Sequence, residues 1–267
     1  MNTTIAIFRH GHTDYRQGNR SVSIEMANDL SMPSADGEPP EHSFLNAVND
    51  LKNKAKALSY YINPGKRTVI HSSGTGRTLS TAKIIQLELA SEGLAFERHD
   101  GPWAIHHEPL LDEVGCFDWK LFLALVNGGY TEFGDDMWVI DPQDSNPKGL
   151  GADDYFYFDC LHKLPGAVLK KWPEGFASRV KSFETSAHCL ERLKEAIRNA
   201  ARQPERQWIF VTHGGLAAFP VRVFTNHQVK ELERGSWALL DATDGKATIR
   251  RLCEQPFGNK EANLLEL

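Results

Sequence analysis

Three β-prone apolar runs in this chain, Thr4 to Phe8, Thr68 to Ile70 and Trp208 to Thr212, each stop abruptly at a polar cluster that contains glycine. The clusters are Arg9-His10-Gly11-His12-Thr13, His71-Ser72-Ser73-Gly74-Thr75-Gly76-Arg77 and His213-Gly214-Gly215. Between the runs lie stretches of helical period. From Ser43 to Tyr61, Phe44, Val48, Leu51, Ala55 and Leu58 recur at spacings of three and four and predict one apolar face. From Thr78 to Glu92, Leu79, Ala82, Ile85 and Leu89 do the same, with Gly93 as the stop. Strands alternating with helices predict an α/β fold, a three-layer αβα sandwich with a mostly parallel central sheet. In such sheets ligands bind beyond the carboxyl ends of the strands, where all three polar clusters stand. They are therefore expected to share one site.

The remaining chain fits one domain with two irregular stretches. Residues 18–42 hold Gly18, Pro33, Gly37, Pro39 and Pro40 and read as a long connection. Leu94 to Glu97 is expected to be a third strand. From about Gly101 to Gly175 periodicity is lost, and aromatics, glycines, prolines and acids accumulate, as in Asp153-Asp154-Tyr155-Phe156-Tyr157-Phe158. This segment is read as an inserted cap, since no renewed strand and helix alternation occurs within it. Phe176 to Ala201 predicts a long amphipathic helix, a further helix follows Gly215 to about Phe224, and Trp237 to Leu240 and Ala247 to Leu252 predict closing strands.

Composition narrows the functional classes. Acidic residues outnumber basic ones, 35 to 30, for a formal charge of −5, and no long basic run could track a nucleic-acid backbone. No apolar stretch approaches the ~18 to 20 residues of a membrane span. Met1-Asn2-Thr3-Thr4 runs into a short apolar strand with no basic segment and long apolar stretch, so no secretory signal is visible and a cytoplasmic location is expected. Cys116, Cys160, Cys189 and Cys253 are scattered and read as reduced thiols. The other histidines, among them His42, His99 and His162, lack spacings such as H-E-x-x-H, so neither metal nor cofactor is expected.

Arg9 to Thr13 matches the R-H-G-x-[ST] signature of the histidine phosphatase, or phosphoglycerate-mutase-like, superfamily, and the chain resembles that family at two further points in the same order. These are Ser73 to Ala82, read as S-x-x-x-R-x-x-x-T-A around Arg77, and Val211-Thr212-His213-Gly214-Gly215. The resemblance implies that His213 is a second site histidine that donates to a phosphoryl oxygen. It also implies a general acid between the second and third motifs. Leu111-Asp112-Glu113 resembles the family's L-x-E and makes Glu113 the candidate, with Asp112 and Glu108 as competitors. Four departures stand out. The glycine and aromatic after the glutamate are spaced differently, at Gly115 and Phe117, and Arg16 occupies a position where many relatives have Asn, as a candidate third phosphate-binding cation. Residues 18–42 contain no P-L-T stretch, and His12 replaces the usual Glu or Gln.

The chemistry can be argued from the residues themselves. A transferred phosphoryl group carries charge on oxygens that must be held while its leaving oxygen departs in line. Arg9 and Arg77 supply forked donors that suit those oxygens. A neutral imidazole has a lone pair near pH 7 and can form a phosphohistidine, the role assigned to His10. Gly11 leaves room beside the backbone, and Gly214 with Gly215 sets backbone amides at a helix start, where an anion is favoured. The expectation is a metal-independent phosphatase acting on a small phosphorylated metabolite. Its alternatives are a phosphoglycerate-type mutase and a catalytically weak phospholigand-binding or regulatory protein.

Overall fold

The structure, a computed structural model, describes residues 2–12, 16–17, 20–21, 40–97, 104–112, 130–133, 136–139, 186–217, 221, 232–243, 245–253, 255–256 and 264–267. Glu113, most of the 18–42 connection and most of the 101–175 segment lie outside these residues. The chain divides into two compact units, Met1–Glu113 with Arg192–Leu267, and Val114–Glu191. In the second unit, β6 (Tyr130–Phe133) and β7 (Asp136–Val139) pair antiparallel.

The first unit is built on one mixed sheet. Its strands are β1 (Thr3–Arg9), β4 (Arg67–Ser72), β5 (Ile105–His107), β8 (Arg206–Thr212), β9 (Trp237–Thr243), β10 (Lys246–Leu252), β11 (Gln255–Pro256) and β12 (Leu264–Glu266). The order is β11-β10-β9-β1-β8-β4-β5, with β12 also paired to β10. Strands β1, β8, β4 and β5 run parallel, and β9 to β12 form an antiparallel flank. A small pair, β2 (Arg16–Gln17) with β3 (Arg20–Ser21), stands apart from this sheet.

Side-chain alternation along β1 shows why two helical layers are needed. Ala6 and Phe8 point to one face, where Ile70, Ile209 and Val211 join Ala55 and Leu58 of α1 (Pro40–Ser59) and Ala82, Ile85 and Leu89 of α2 (Gly76–Ser91) in one core. Thr3, Ile5 and Ile7 point to the other face and are equally buried. There the Thr3 hydroxyl donates to the Ala201 carbonyl at the end of α3 (Ser186–Ala201), and Leu193, Ile197 and Ala200 form the apolar stripe of that helix. Each such aliphatic side chain contributes roughly 1.5 to 3 kcal/mol by leaving water. Among the described residues, no helix is long and apolar enough to cross a membrane.

The α/β class, the central parallel strands and the flanking helices agree with the sequence reading, and two details differ. Leu94 to Glu97 is not a strand but a single bridge from Phe96 to Thr68; the strand beside β4 is Ile105–His107. Three residues that include two histidines carry too little period-two signal to be seen beforehand. Secondly, the inward stripe of α1 runs through Ala47, Leu51, Ala55 and Leu58, while Phe44 is exposed. Of the expected helix from Phe176 to Ala201, 176–185 lie outside the described residues, and α3 is described from Ser186 onward. Gly93 does terminate α2, at φ 89°, with Gly93 N–H donating to Ala90 and Leu94 N–H donating to Leu89. That is a Schellman closure, in which only glycine takes the left-handed position without strain.

Candidate active site

Parallel pairing of β1, β8 and β4 delivers their carboxyl ends side by side, and hydrogen bonds then tie the polar clusters together. His10 N–H donates to the Thr212 carbonyl at 2.8 Å, and Ser73 N–H to Val211 at 3.1 Å. Gly11 N–H donates to the Thr81 hydroxyl of α2 at 3.0 Å, which itself donates to the Arg77 carbonyl at 2.8 Å. Arg9, His10, Ser73, Arg77, Thr212 and His213 are all buried. Burying so many polar groups beyond the edge of an apolar sheet is costly unless they are hydrogen-bonded, and each of these side chains has a hydrogen-bond partner, with Arg9 Nε and Arg77 Nε the atoms that find none among the described residues.

His10 Nδ1 lies 2.8 Å from the Gly11 carbonyl, which can only accept, so this nitrogen carries the proton. Burial, then the electrostatic influence of His213 and Arg77, holds the His10 pKa well below its ordinary 6.5; the Gly11 carbonyl opposes this and Arg9 adds to it. The ring is therefore neutral near pH 7, with its lone pair on Nε2.

Arg77 Nη2 approaches His213 Nδ1 at 2.9 Å. A guanidinium only donates, so Nδ1 accepts, and in the neutral ring the proton sits on Nε2, which donates to Ser73 Oγ at 2.7 Å. Ser73 Oγ meets Thr78 Oγ1 at 2.8 Å, and the Thr78 hydroxyl turns to the Ser73 and Thr75 carbonyls. For His213 to donate to a phosphoryl oxygen, that oxygen must displace one of these two ring contacts. The two imidazoles meet edge-on, with centroids 5.4 Å apart.

Arg9 is steered from three sides. Its Nη1 donates to the Leu232 carbonyl at 2.6 Å, and its main chain pairs with Ser236. Its guanidinium lies against Gly214, where a Cβ would come within 3.0 Å of Cζ, Nε and Nη2. A side chain at 214 would therefore press on the guanidinium, which would have to give by a few tenths of an ångström. His213 caps the helical turn that begins at Gly214, with Ala217 N–H bonded to the His213 carbonyl.

Four of the expected residues, Arg9, His10, Arg77 and His213, together with Gly214, therefore form one constellation. Comparison with solved structures finds the same architecture in phosphoglycerate mutase from Bacillus anthracis, at 17% identity over 93% of this chain and 91% of that one, with a TM-score of 0.50. A mycobacterial protein described as hydrolase 2 matches at 15% identity, 98% and 95% coverage and a TM-score of 0.50. The chain has the phosphoglycerate-mutase-like fold. A mycobacterial glucosyl-3-phosphoglycerate phosphatase also matches, at 16% identity over 89% of each chain, with a TM-score of 0.46. No protein-family model and no curated sequence matches the chain.

Within this phosphoglycerate-mutase-like fold the candidate carboxylates separate. Glu108 caps the short 3-10 turn Pro109–Leu111 by accepting from Leu110 N–H at 3.2 Å, and its other oxygen faces His71 at 3.4 Å. That carboxylate is committed to structure. Asp112 is half exposed, with Oδ1 3.4 Å from both His107 Nε2 and Gly74 N, beside the loop that leads to Arg77. Glu113 and the side chain of Arg16 lie outside the described residues. His12 stands 4.0 Å from Asp50, and burial followed by the charge of Arg234 lowers its pKa. Among the described residues no group of three or more His, Cys, Asp or Glu could hold a metal ion.

The sequence shows Thr81 and Thr212 as motif letters without a role, and it gives no role to the 232–236 turn; all three make contacts to backbone beside the motifs. The one available signal for the turn was Gly235 ahead of an apolar strand.

The buried neutral His10 makes stability pH-dependent. As pH falls below about 6.5 the unfolded histidine binds a proton that the folded one, with its depressed pKa, still refuses. His10 therefore subtracts stability progressively from about pH 6.5 down to its folded pKa and contributes no slope above that window. Urea midpoints between about pH 5 and about pH 7 are expected to rise less steeply in His10→Asn than in the wild type. Identical slopes would mean that His10 titrates normally.

Proposed function

We propose that the chain belongs to the histidine phosphatase superfamily and is a metal-independent phosphomonoesterase that hydrolyses a small phosphorylated metabolite through a phosphohistidine on His10. The observation that carries this reading is the His10 tautomer: a buried imidazole, its proton engaged at Nδ1 by Gly11 and its lone pair on Nε2, in one cluster with Arg9, Arg77 and His213. A site that only binds anions has no use for a nucleophilic imidazole held neutral among cations.

In the first step Nε2 attacks phosphorus, the N–P bond forms and the ester P–O bond breaks in line, with Arg9 and Arg77 holding the equatorial oxygens. The departing oxygen takes a proton from a carboxylic acid, which we assign to Glu113. Thr212 Oγ1 donates to the Leu111 carbonyl at 2.5 Å, so the chain is anchored one residue from His213 and two residues before Glu113. In the second step the Glu113 carboxylate takes a proton from water, whose oxygen bonds to phosphorus as the N–P bond breaks. Arg16 is proposed as a further phosphate-binding cation, and Gly214 as the backbone position beside which the anion lies.

A mutase would differ only in the second step, where an acceptor hydroxyl replaces water. The shared fold with a phosphoglycerate mutase keeps that reading open. We favour hydrolysis because the 18–42 loop and the 101–175 segment carry no recognisable substrate-side features of a phosphoglycerate mutase in their sequence. A cytoplasmic enzyme without nucleic-acid or membrane partners fits the acidic charge balance.

Phosphate release from a panel of phosphorylated metabolites tests the reaction class. Because arginines and histidines neutralise the phosphoryl charge in this mechanism, turnover is expected to be undiminished in excess EDTA. Loss in chelator with recovery on adding Mg²⁺ or Zn²⁺ would overturn metal independence.

A further inference from the structure

We infer that Lys54 of α1, held by Asp50, is a positioning residue that sets Arg9 and His10 through the turn between Leu232 and Trp237. The inference rests on the catalytic reading of those two residues. Lys54 engages the turn from both sides of its own backbone. Its Nζ donates to the Arg234 carbonyl at 2.8 Å and to Asp50 Oδ2 at 2.8 Å, and its main-chain carbonyl accepts from the indole N–H of the fully buried Trp237 at 2.8 Å.

Between these anchors the turn makes contacts to the first motif. Gly235 N–H donates to the His10 carbonyl at 3.0 Å, Arg9 N–H donates to the Ser236 carbonyl at 3.0 Å, and Leu232 accepts from Arg9 Nη1 at 2.6 Å. The strand β8 supports His10 from the opposite side through Thr212. The motif is therefore clasped between β8 and a turn whose outer side is fastened by one lysine.

Gly235 shows how tightly the turn is pressed onto α1. It lies at φ 72°, and a Cβ there would come within 3.0 Å of Leu51 Cδ2 and 3.3 Å of Asp50 Oδ2. Arg234, Asp50, Lys54 and Arg9 all act electrostatically on His12, and the Lys54 charge is one of those that lower the His12 pKa. An i,i+4 ion pair on a helix stabilises little by itself. Its value here lies in where it holds the Arg234 carbonyl. A guanidinium fork displaced by about 1 Å loses its alignment with the phosphoryl oxygens, an error that costs up to about 100-fold in rate.

The test compares Lys54→Met, Lys54→Arg and Asp50→Asn with the wild type by kcat, KM, melting temperature and affinity for inorganic phosphate measured by calorimetry. Lys54→Met is expected to lower kcat by about 10- to 100-fold and to weaken phosphate binding, with a melting temperature close to wild type. Lys54→Arg keeps a donor for both acceptors and is expected to recover most of the rate. Asp50→Asn, which leaves the bond to Arg234, is expected to lose less. Wild-type kcat and phosphate affinity in Lys54→Met overturn the inference, as does a loss that tracks melting temperature across all three variants. If Lys54→Met does not fold, unchanged kcat and phosphate affinity in Asp50→Asn overturn it in the same way. A wild-type protein that hydrolyses no phosphomonoester overturns the catalytic reading instead, and phosphate affinity in the variants then decides the positioning role separately.

Discussion

His10→Ala is expected to abolish turnover, with a loss on the order of 10⁴- to 10⁶-fold, because the nucleophile and everything arranged around it act as a unit. The variant should still bind inorganic phosphate, since Arg9, Arg77 and His213 keep their partners in Leu232, His213 and Ser73. In the wild type, rapid quenching during turnover should trap a phosphoryl group on the protein. A phosphoramidate on His10 is labile in acid and stable in base, the reverse of a serine ester. The fate of the isolated adduct separates the two reactions: water consumes it in a phosphatase, and an added phosphoglycerate consumes it in a mutase without release of free phosphate. Wild-type turnover in His10→Ala would remove the central residue, and the phosphohistidine mechanism with it.

Glu113→Gln keeps the size of the side chain and deletes its proton. Hydrolysis of an alkyl phosphate, whose leaving oxygen is a poor alkoxide, is expected to slow by roughly 10² to 10⁴, the usual share of general acid catalysis. An aryl phosphate, which leaves readily without protonation, should lose far less in the first step. The ratio of the two substrates is thus the diagnostic, and a general loss of folding cannot produce it. Equal, wild-type rates on both would pass the role to Asp112, the carboxylate beside Gly74 and His107. Glu108 is the weaker successor, because its oxygens already cap the Pro109–Leu111 turn and face His71.

Much of this fold was legible before any coordinates because the signals are local. Apolar runs ending in polar clusters mark strand ends, and the 3.6-residue period of Leu51, Ala55 and Leu58 marks the buried side of α1. The glycine at 93 supplies the left-handed residue with which α2 closes. Where the local signal was thin the reading slipped. Ile105–His107 is three residues long and carries two histidines, so it did not read as a strand, whereas Leu94 to Glu97 had the composition of one and makes only the bridge at Phe96.

The amino-acid order alone determined which residue types stand at the ends of which strands: Arg9 and His10 after β1, Ser73 and Arg77 after β4, His213 and Gly214 after β8. It could do so because a motif is contiguous and its chemistry belongs to the side chains themselves. Only the tertiary structure decided how those side chains are held. The acceptor role of His213 Nδ1 toward Arg77 and the passage of Arg9 over Gly214 depend on distances between segments far apart in the chain, and the proton on His10 Nδ1 depends on the backbone conformation that turns its neighbour Gly11 carbonyl toward the ring. Lys54 and Arg234 are 180 positions apart, and nothing near either residue in the sequence marks the other as its partner. Hydrogen bonds that close such long loops exist only once strand pairing and core burial have brought the segments together, so their physical cause is the fold as a whole.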